Sequence, residues 1–368
     1  MRIGINLLFL IPNKVGGTET YTRGMIESLE KYDDKNNYIL FCNQENFDTF
    51  SSSKKMLKVK LPVAAKYKPL RLIFEQVLLP FYLLKYKVDL LHSFGYIGPF
   101  ITPCKSIVNI FDLNWYYHPE DFSILEKFVW KFFVVFSAHF SDAITTSSFS
   151  SRKSIIDVLN LHKKIQVIYP GIPKLEKPSS IKKLKKLGIK RPYIFTLSAL
   201  NPHKNISGLL RIFKKVSDIE GQVQLVIAGL GGRSRNEINE IIIRNRLTDK
   251  VLFLGWVDNQ RLSTIYKFAE VFVFTSLYEG FGIPILECFN VGTPVVSSNA
   301  FSLKEAVGNG GISIDPRDEA KFVKEIIKVI SLPKYKKILM KKSLAYKKKF
   351  DWMKSARKLS NFYQEVND

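Results

Sequence analysis

The sequence predicts an α/β protein of two parallel-sheet domains, and three observations carry that prediction. At 368 residues the chain exceeds one ordinary domain, for which roughly 150 residues is typical. Short β-branched or apolar runs alternate with amphipathic stretches, the pattern of repeated βαβ units. A segment dense in Lys, Pro and Ser, residues 174–191, interrupts the alternation, which then begins again.

Taken in order, the first series places strands at Ile3–Leu10, Tyr38–Cys42, Leu90–Ser93, Ser106–Ile110, Ala143–Thr146 and Ile165–Ile168, with helical patterns at Glu19–Lys31 and Ser123–Ser137. The second series places strands at Tyr193–Ser198, Val223–Ala228, Val251–Leu254, Val271–Thr275, Pro294–Ser297 and Gly311–Ile314, each followed by a helical pattern. The expected division is an N-terminal domain at 1–173, a linker at 174–191, a C-terminal domain at 192–348 and a closing helix at 349–368. That helix carries Trp352, Ala356, Leu359, Phe362 and Tyr363 on one face. Both domains read as Rossmann-like, and in such sheets ligands bind outside the carboxyl ends of the strands.

Composition bounds the function. With 46% hydrophobic and 13% aromatic residues, both halves can bury a core. Three cysteines, Cys42, Cys104 and Cys288, without a CxxC pair, argue against a disulfide framework or a zinc site and fit a reducing, cytoplasmic setting. Residues 1–12 read as a first strand. The most apolar stretches, 72–84 and 128–138, are broken by polar residues and fall short of the roughly 18 a membrane span needs. The net charge of +23 draws polyanions. An anionic membrane surface is the expected partner and nucleic acid is not; a lysine-rich habit spread over solvated helix faces explains the charge as well. The basic and aromatic residues Lys66, Tyr67, Lys68, Arg71, Lys85, Tyr86, Lys87 and Lys131 beside the apolar run 70–84 motivate that surface.

The chemistry concentrates in Val271-Phe-Val-Phe-Thr-Ser-Leu-Tyr-Glu-Gly-Phe-Gly-Ile-Pro-Ile-Leu-Glu287. A strand ends near Thr275, a loop carries Glu279, Gly280, Phe281 and Gly282, and a helix opens around Ile283 and Pro284. Glycines let backbone approach a ligand, and unpaired N–H groups at a helix start favour an anion. The carboxylates of Glu279, in the loop, and Glu287, expected in the first turn, can accept hydrogen bonds from sugar or ribose hydroxyls.

This segment resembles the E-x7-E signature of the retaining glycosyltransferases of family 4, with Glu279 and Glu287 at the two acidic positions. The resemblance implies the GT-B fold, two Rossmann-like domains facing across a cleft, with acceptor on the N-terminal side, nucleotide sugar on the C-terminal side, and the closing helix packing back on the first domain. It extends over nearly the whole chain. Pro202-His-Lys-Asn205 resembles the family's basic turn at the donor diphosphate: Lys204 and Asn205 match, while His203 stands where Arg is usual and implies a weaker, pH-dependent contact. Gly16 and Gly17 resemble the Gly-Gly loop between donor phosphates and acceptor. Ser302-Leu-Lys-Glu305 resembles a loop near the phosphates, although Ser302 and Glu305 also have the spacing of a capping box. Val108-Asn-Ile-Phe-Asp-Leu113 is similar to the family's H-D-L motif, but Phe111 occupies the His position and only Asp112 matches. His118, set before Pro119, reads as structural.

The resemblance implies a hexosyltransferase that keeps the anomeric configuration, with Asp112 and Glu279 at the reacting sugar and Gly16, Gly17, His203, Lys204, Asn205, Gly280, Phe281, Gly282, Ile283, Glu287 and Glu305 at the donor. No metal and no cofactor is expected, the substrate being a GDP- or UDP-linked sugar. The expected acceptor is a saccharide or lipid-linked saccharide in cell-surface polysaccharide or O-antigen synthesis at the inner face of the membrane. A sugar-nucleotide epimerase of the same fold, a polyanion-binding protein and a catalytically dead scaffold are the alternatives. The Gly229-Leu-Gly-Gly232 run does not complete a dinucleotide-binding fingerprint.

Overall fold

A computed structural model describes all 368 residues. The chain divides into two units, the first comprising Met1–Tyr116, Ile124–Gly171 and Asp351–Asp368, the second Tyr117–Ser123 and Ile172–Phe350.

The first unit is built on seven strands: β1 (Arg2–Asn6), β2 (Asn37–Cys42), β3 (Met56–Lys60), β4 (Leu90–Ser93), β5 (Lys105–Asn109), β6 (Ala143–Thr146) and β7 (Ile165–Val167). All pair in parallel, in the order β3-β2-β1-β4-β5-β6-β7. The central strands are apolar on both faces because helices cover both. Strand β3 is absent from the sequence expectation. Its Met-Leu-Lys-Val-Lys carries two lysines, which suits an edge strand: Lys60 is exposed, and Lys58 donates to the Phe47 and Phe50 carbonyls.

One core of this unit joins Ile3, Ile5 and Leu90 of the sheet to Met25 and Leu29 of the Gly17–Tyr32 helix and to Leu359 and Tyr363 of the terminal Trp352–Asn367 helix. The Asp351 carboxylate caps that terminal helix by accepting from the Met353 N–H at 2.8 Å. The Trp352 indole fits only because Gly24 and Gly171 lack side chains, since a Cβ at either would lie 2.3 Å from it. His92 shares hydrogen bonds with the Tyr363 hydroxyl at 2.8 Å and the Thr145 hydroxyl at 3.0 Å. Burial pushes its pKa down to about 3, so it is a neutral core histidine.

The second unit holds β8 (Tyr193–Leu197), β9 (Gln224–Ala228), β10 (Val251–Gly255), β11 (Val271–Phe274), β12 (Val295–Ser298) and β13 (Ile312–Ile314). These are also parallel, in the order β10-β9-β8-β11-β12-β13. The chain order reverses between neighbouring β8 and β11, so the loops leaving those two strands sit side by side at the switch point.

Two segments lie elsewhere than their composition suggests. Residues 174–191, expected as the linker between the domains, are tied to the Asn259–Phe268 helix of the second unit. Ser263 donates to the Glu176 carbonyl at 2.6 Å, and the Ser179 N–H donates to the Thr264 hydroxyl at 2.8 Å. Residues 117–123, expected within the first domain, belong to the second unit.

Candidate functional site

Gly282 starts the site in the second unit. Its φ of 102° is closed to side-chain-bearing residues, and a Cβ there would meet the Leu303 side chain at 2.7 Å. The Ile283–Val291 helix begins immediately after it; Pro284 in its first turn brings no N–H and the Ile285 N–H donates to the Gly282 carbonyl at 3.0 Å, so what the helix start offers an anion is chiefly the positive end of its dipole. The neighbouring loop from β8 is laced to this one. The Thr275 hydroxyl donates to the Asn205 carbonyl at 3.1 Å, the Asn205 amide donates to the Thr275 carbonyl at 3.2 Å, and the Leu277 N–H donates to the His203 carbonyl at 2.8 Å. Asn205, in the left-handed region at φ 54°, also caps the Ile206–Ile219 helix by accepting from the Gly208 N–H.

That lacing brings the Lys204 ammonium to the Glu279 carboxylate at 2.7 Å, with both side chains largely buried. The Ser302 hydroxyl donates to the Glu279 backbone carbonyl. The capping box expected of Ser302 and Glu305 is therefore not what forms. The Ser302 side chain makes no cap, and the Leu303–Val307 helix is a single short turn. Glu305 follows on that turn, and its N–H donates to the Ser302 carbonyl at 2.9 Å.

Glu287 sits one residue beyond the first turn of its helix, not within it, so a helix-dipole explanation for it weakens. It is only 8% exposed, and the Tyr266 hydroxyl donates to one carboxyl oxygen at 2.7 Å. Burial pushes its pKa up to about 7, while the Tyr266 hydrogen bond acts in the opposite direction. Its other oxygen makes no hydrogen bond to protein and can accept from or donate to a ligand hydroxyl.

His203 departs from expectation. Its Nδ1 lies against the Asp121 carboxylate, both side chains being almost out of solvent, so only its far nitrogen is left to face a ligand. Asp121 arrives on the 117–123 segment. There Tyr117 stacks on Tyr278 with centroids 5.2 Å apart, Tyr278 packs on Phe301 at 4.3 Å, and His118 shares a hydrogen bond with Glu120 at 2.8 Å. His118 thus serves the segment's own structure.

In the first unit, Gly16 adopts φ 57° and ψ −131° just before the helix that Gly17 opens, and a Cβ there would touch nothing within 4 Å. Glycine is required by conformation and not by crowding. Glu19 braces the loop, accepting from the Asn13 N–H and from Arg23 at 2.8 Å each. Asp112 follows β5, accepting from the Tyr96 hydroxyl at 3.0 Å and from the Asn114 N–H at 3.1 Å. Phe111, at the position where the resemblance expects imidazole, is 7% exposed and belongs to the core, edge-on to Tyr21 at 5.0 Å.

The structure thus gathers Lys204, Asn205, Glu279, Gly280, Phe281, Gly282, Ile283 and Glu287 around two laced loops, and sets Gly16, Gly17 and Asp112 on the first unit. Tyr266, Asp121 and Tyr96 escaped the sequence reading, each lying outside any motif, and the contact that Ser302 makes with the Glu279 carbonyl was not foreseen. No three His, Cys, Asp or Glu side chains converge as a metal site.

Two parallel-sheet units with loops of this kind define a GT-B glycosyltransferase. Residues 15–174 match the family model described as Glycosyltransferase Family 4, and residues 179–348 match that of Glycosyl transferases group 1. Between them the two models span nearly the whole chain, which belongs to the group 1, family 4 glycosyltransferases. Over 173 residues it is 31% identical to the O-antigen chain mannosyltransferase B of Escherichia coli, a match covering 47% of this chain and 45% of that protein. Over 227 residues it is 28% identical to the O-antigen chain mannosyltransferase RfbU of Salmonella typhimurium, covering 61% of each. The chain thus spans about half to three fifths of these relatives' lengths. Among solved structures, the Anabaena protein HepE in complex with UDP and glucose superposes with a TM-score of 0.74 at 19% identity, over 99% of both chains. That likeness supports the fold.

Proposed function

We propose that the chain transfers a hexose, mannose foremost, from a nucleotide sugar to a saccharide or lipid-linked saccharide acceptor in O-antigen-like polysaccharide synthesis, at the inner face of the membrane, with retention and without a metal. The carrying observation is the Lys204–Glu279 pair beside the Gly282-led helix start, at the switch point of the second sheet. A cation and the positive end of a helix dipole stabilise a leaving diphosphate without a divalent ion. Glu287 and Glu279 supply acceptors for ribose and sugar hydroxyls. Retention is read as same-face attack, in which the leaving phosphate takes the acceptor's proton and no protein nucleophile is needed. Asp112, oriented by Tyr96, is the polar group of the first unit assigned to the sugar. Mannose follows the O-antigen mannosyltransferases among the relatives, and GDP is preferred over UDP as the carrier on that basis.

Calorimetry with GDP, UDP and their sugar conjugates tests the donor site. Selective binding of one nucleotide, weakened at least tenfold in Glu287→Ala, is expected; a folded protein that binds none sinks the reading. With the preferred donor, an extended acceptor whose new linkage keeps the donor's anomeric configuration, formed undiminished in EDTA, is the expected product. An epimerised free donor, an inverted linkage or a strict Mg²⁺ requirement would each overturn the corresponding part.

A further inference from the structure

The first unit carries an apolar face turned outward. The Ile124–Phe140 helix buries Val134, Ser137 and Ala138 fully against the unit, and Trp130 and Phe133 flank them, packing on Tyr96 at 5.5 Å and on Phe100 at 5.8 Å. Its opposite side, spaced three and four residues apart, presents Leu125, Phe128, Val129, Phe132, Phe136 and Phe140 to solvent, Phe128 at 65% exposure. Amphipathic helices of a globular domain turn such a stripe inward; here it points away from the core. The Lys68–Val77 and Leu79–Lys85 helices repeat the arrangement, with Leu70, Ile73, Val77, Phe81 and Leu84 exposed at helical spacing.

The two stripes are one surface. Gln76 donates to the Gly98 carbonyl at 3.1 Å and accepts from the Phe100 N–H at 3.0 Å. The Phe100 ring in turn packs on Phe132, Phe136 and Phe140 with centroids 5.5 to 6.0 Å apart. Lys68 also reaches Glu126 at 3.9 Å. Ile101, 79% exposed, projects from the joining loop. Exposed lysines accompany both stripes, Lys66, Lys68, Lys85 and Lys87 at the ends of the first and Lys127 and Lys131 within the second, while Arg71 turns to the buried Glu75 at 3.9 Å. Within residues 66–87 the single acid is Glu75, which is buried.

We propose that this face is a docking surface for an anionic lipid bilayer, the aromatic and aliphatic stripes entering the headgroup boundary and the lysines meeting lipid phosphates. An anionic bilayer fits both halves of the pattern, apolar area and accompanying positive charge. A second copy of the chain fits the apolar half only, because it brings its own net charge of +23. No helix is long and apolar enough to cross a membrane, so the contact lies along the surface. The proposal deepens the reading of a membrane-held acceptor and names the surface that would bring the enzyme to it.

The full chain is floated with phosphatidylglycerol-rich and with pure phosphatidylcholine vesicles at low salt, alongside Phe128→Glu/Phe132→Glu and Lys66→Glu/Lys68→Glu variants. Calorimetric nucleotide binding, whose loops lie in the other unit, reports folding and separates failure of this proposal from failure of the donor-site reading. The wild type is expected to float with the anionic vesicles only. The Phe pair should lower the partition at least about tenfold, and the Lys pair about fivefold for each charge removed, with nucleotide affinity unchanged. Three results would overturn the proposal: a nucleotide-binding wild type that ignores anionic vesicles, flotation indifferent to the Phe variants, or a wild-type dimer without vesicle binding that those variants convert to monomer.

Discussion

The two units share one sheet topology but secure their switch-point loops with different chemistry. In the first, buried neutral amides hold the start of the loop leaving β1, and Glu19 braces its far end. The buried Asn43 side chain donates to the Leu8 and Leu10 carbonyls, and Asn46 donates to those of Leu7 and Leu10, at 2.8 to 3.0 Å. Behind it, Phe111 fills an aromatic core. In the second, the corresponding loops are laced through Asn205 and carry a largely buried ion pair, Lys204–Glu279. A buried pair is costly to desolvate and is weak as a stabiliser. Its presence at the loop that opens the Ile283–Val291 helix is therefore better explained by the proposed donor site than by stability. The same framework is thus held chiefly by amides in one unit, with the Glu19–Arg23 pair at the half-exposed end of its loop, and by a largely buried ion pair in the other.

The largest effect that would break this contrast is expected from Lys204→Ala. Removing the cation should cut kcat about 10²- to 10³-fold, the range for loss of one charge-stabilising group. A loss confined to KM would instead assign Lys204 to ground-state binding. Next comes Glu287→Ala, which should weaken the nucleotide by about 1.5–3 kcal/mol, the value of hydrogen bonds to a charged group. The pH behaviour sharpens this assignment. With a folded pKa of about 7 against an ordinary 4.5, Glu287 holds a proton in the folded chain that the unfolded chain has lost. Its contribution to stability is present below pH 4.5 and falls as pH rises to about 7. Glu287→Gln should consequently be more thermally stable than wild type at pH 8 and indistinguishable from it near pH 4. Ribose hydroxyls donating to the carboxylate make nucleotide affinity rise with pH through about 7 in the wild type and stay flat in the Gln variant.

On the first unit the test runs the other way. Phe111→His places an imidazole within an aromatic core that offers it Tyr21 and Tyr96 as ring neighbours. The expected outcome is a stability loss of about 1–3 kcal/mol from burying a polar group, read by urea denaturation, with no gain in kcat. A faster variant would mean that the first unit's site lacks only its imidazole, and the contrast between the units would shrink to one side chain.

What the sequence disclosed and what it withheld divide along the reach of each interaction. The strand, Gly-rich loop and helix around Glu279 to Glu287 were legible because all three parts are consecutive, and twelve of thirteen strands announced themselves by apolar runs. Strand β3 did not, since its alternating lysines resemble solvated chain. The partners that tune the site come from afar. Tyr266 reaches Glu287 across 21 residues, Ser302 reaches Glu279 across 23, and Asp121 meets His203 from a segment that composition assigns to the other domain. Local spacing even misdirects at Ser302, whose distance from Glu305 suits a cap that tertiary packing overrides.

That misdirection supplies the smallest and most discriminating test. If Ser302 capped the Leu303–Val307 turn, Ser302→Ala would lower stability by about 1 kcal/mol and leave the donor loop alone. In the structure its hydroxyl pins the Glu279 carbonyl instead, and a turn of five residues contributes little helix to lose. Ser302→Ala should therefore free the backbone of the residue that pairs with Lys204, lowering nucleotide-sugar affinity a few-fold, within the roughly 0.5–1.5 kcal/mol of one neutral hydrogen bond. The free nucleotide, which does not need Glu279 to orient a sugar, should bind nearly as before. A melting temperature that falls while both affinities hold would return Ser302 to the role of a cap, and would leave the charged loop of the second unit positioned by Asn205, the Leu277–His203 backbone bond and the Lys204 pair.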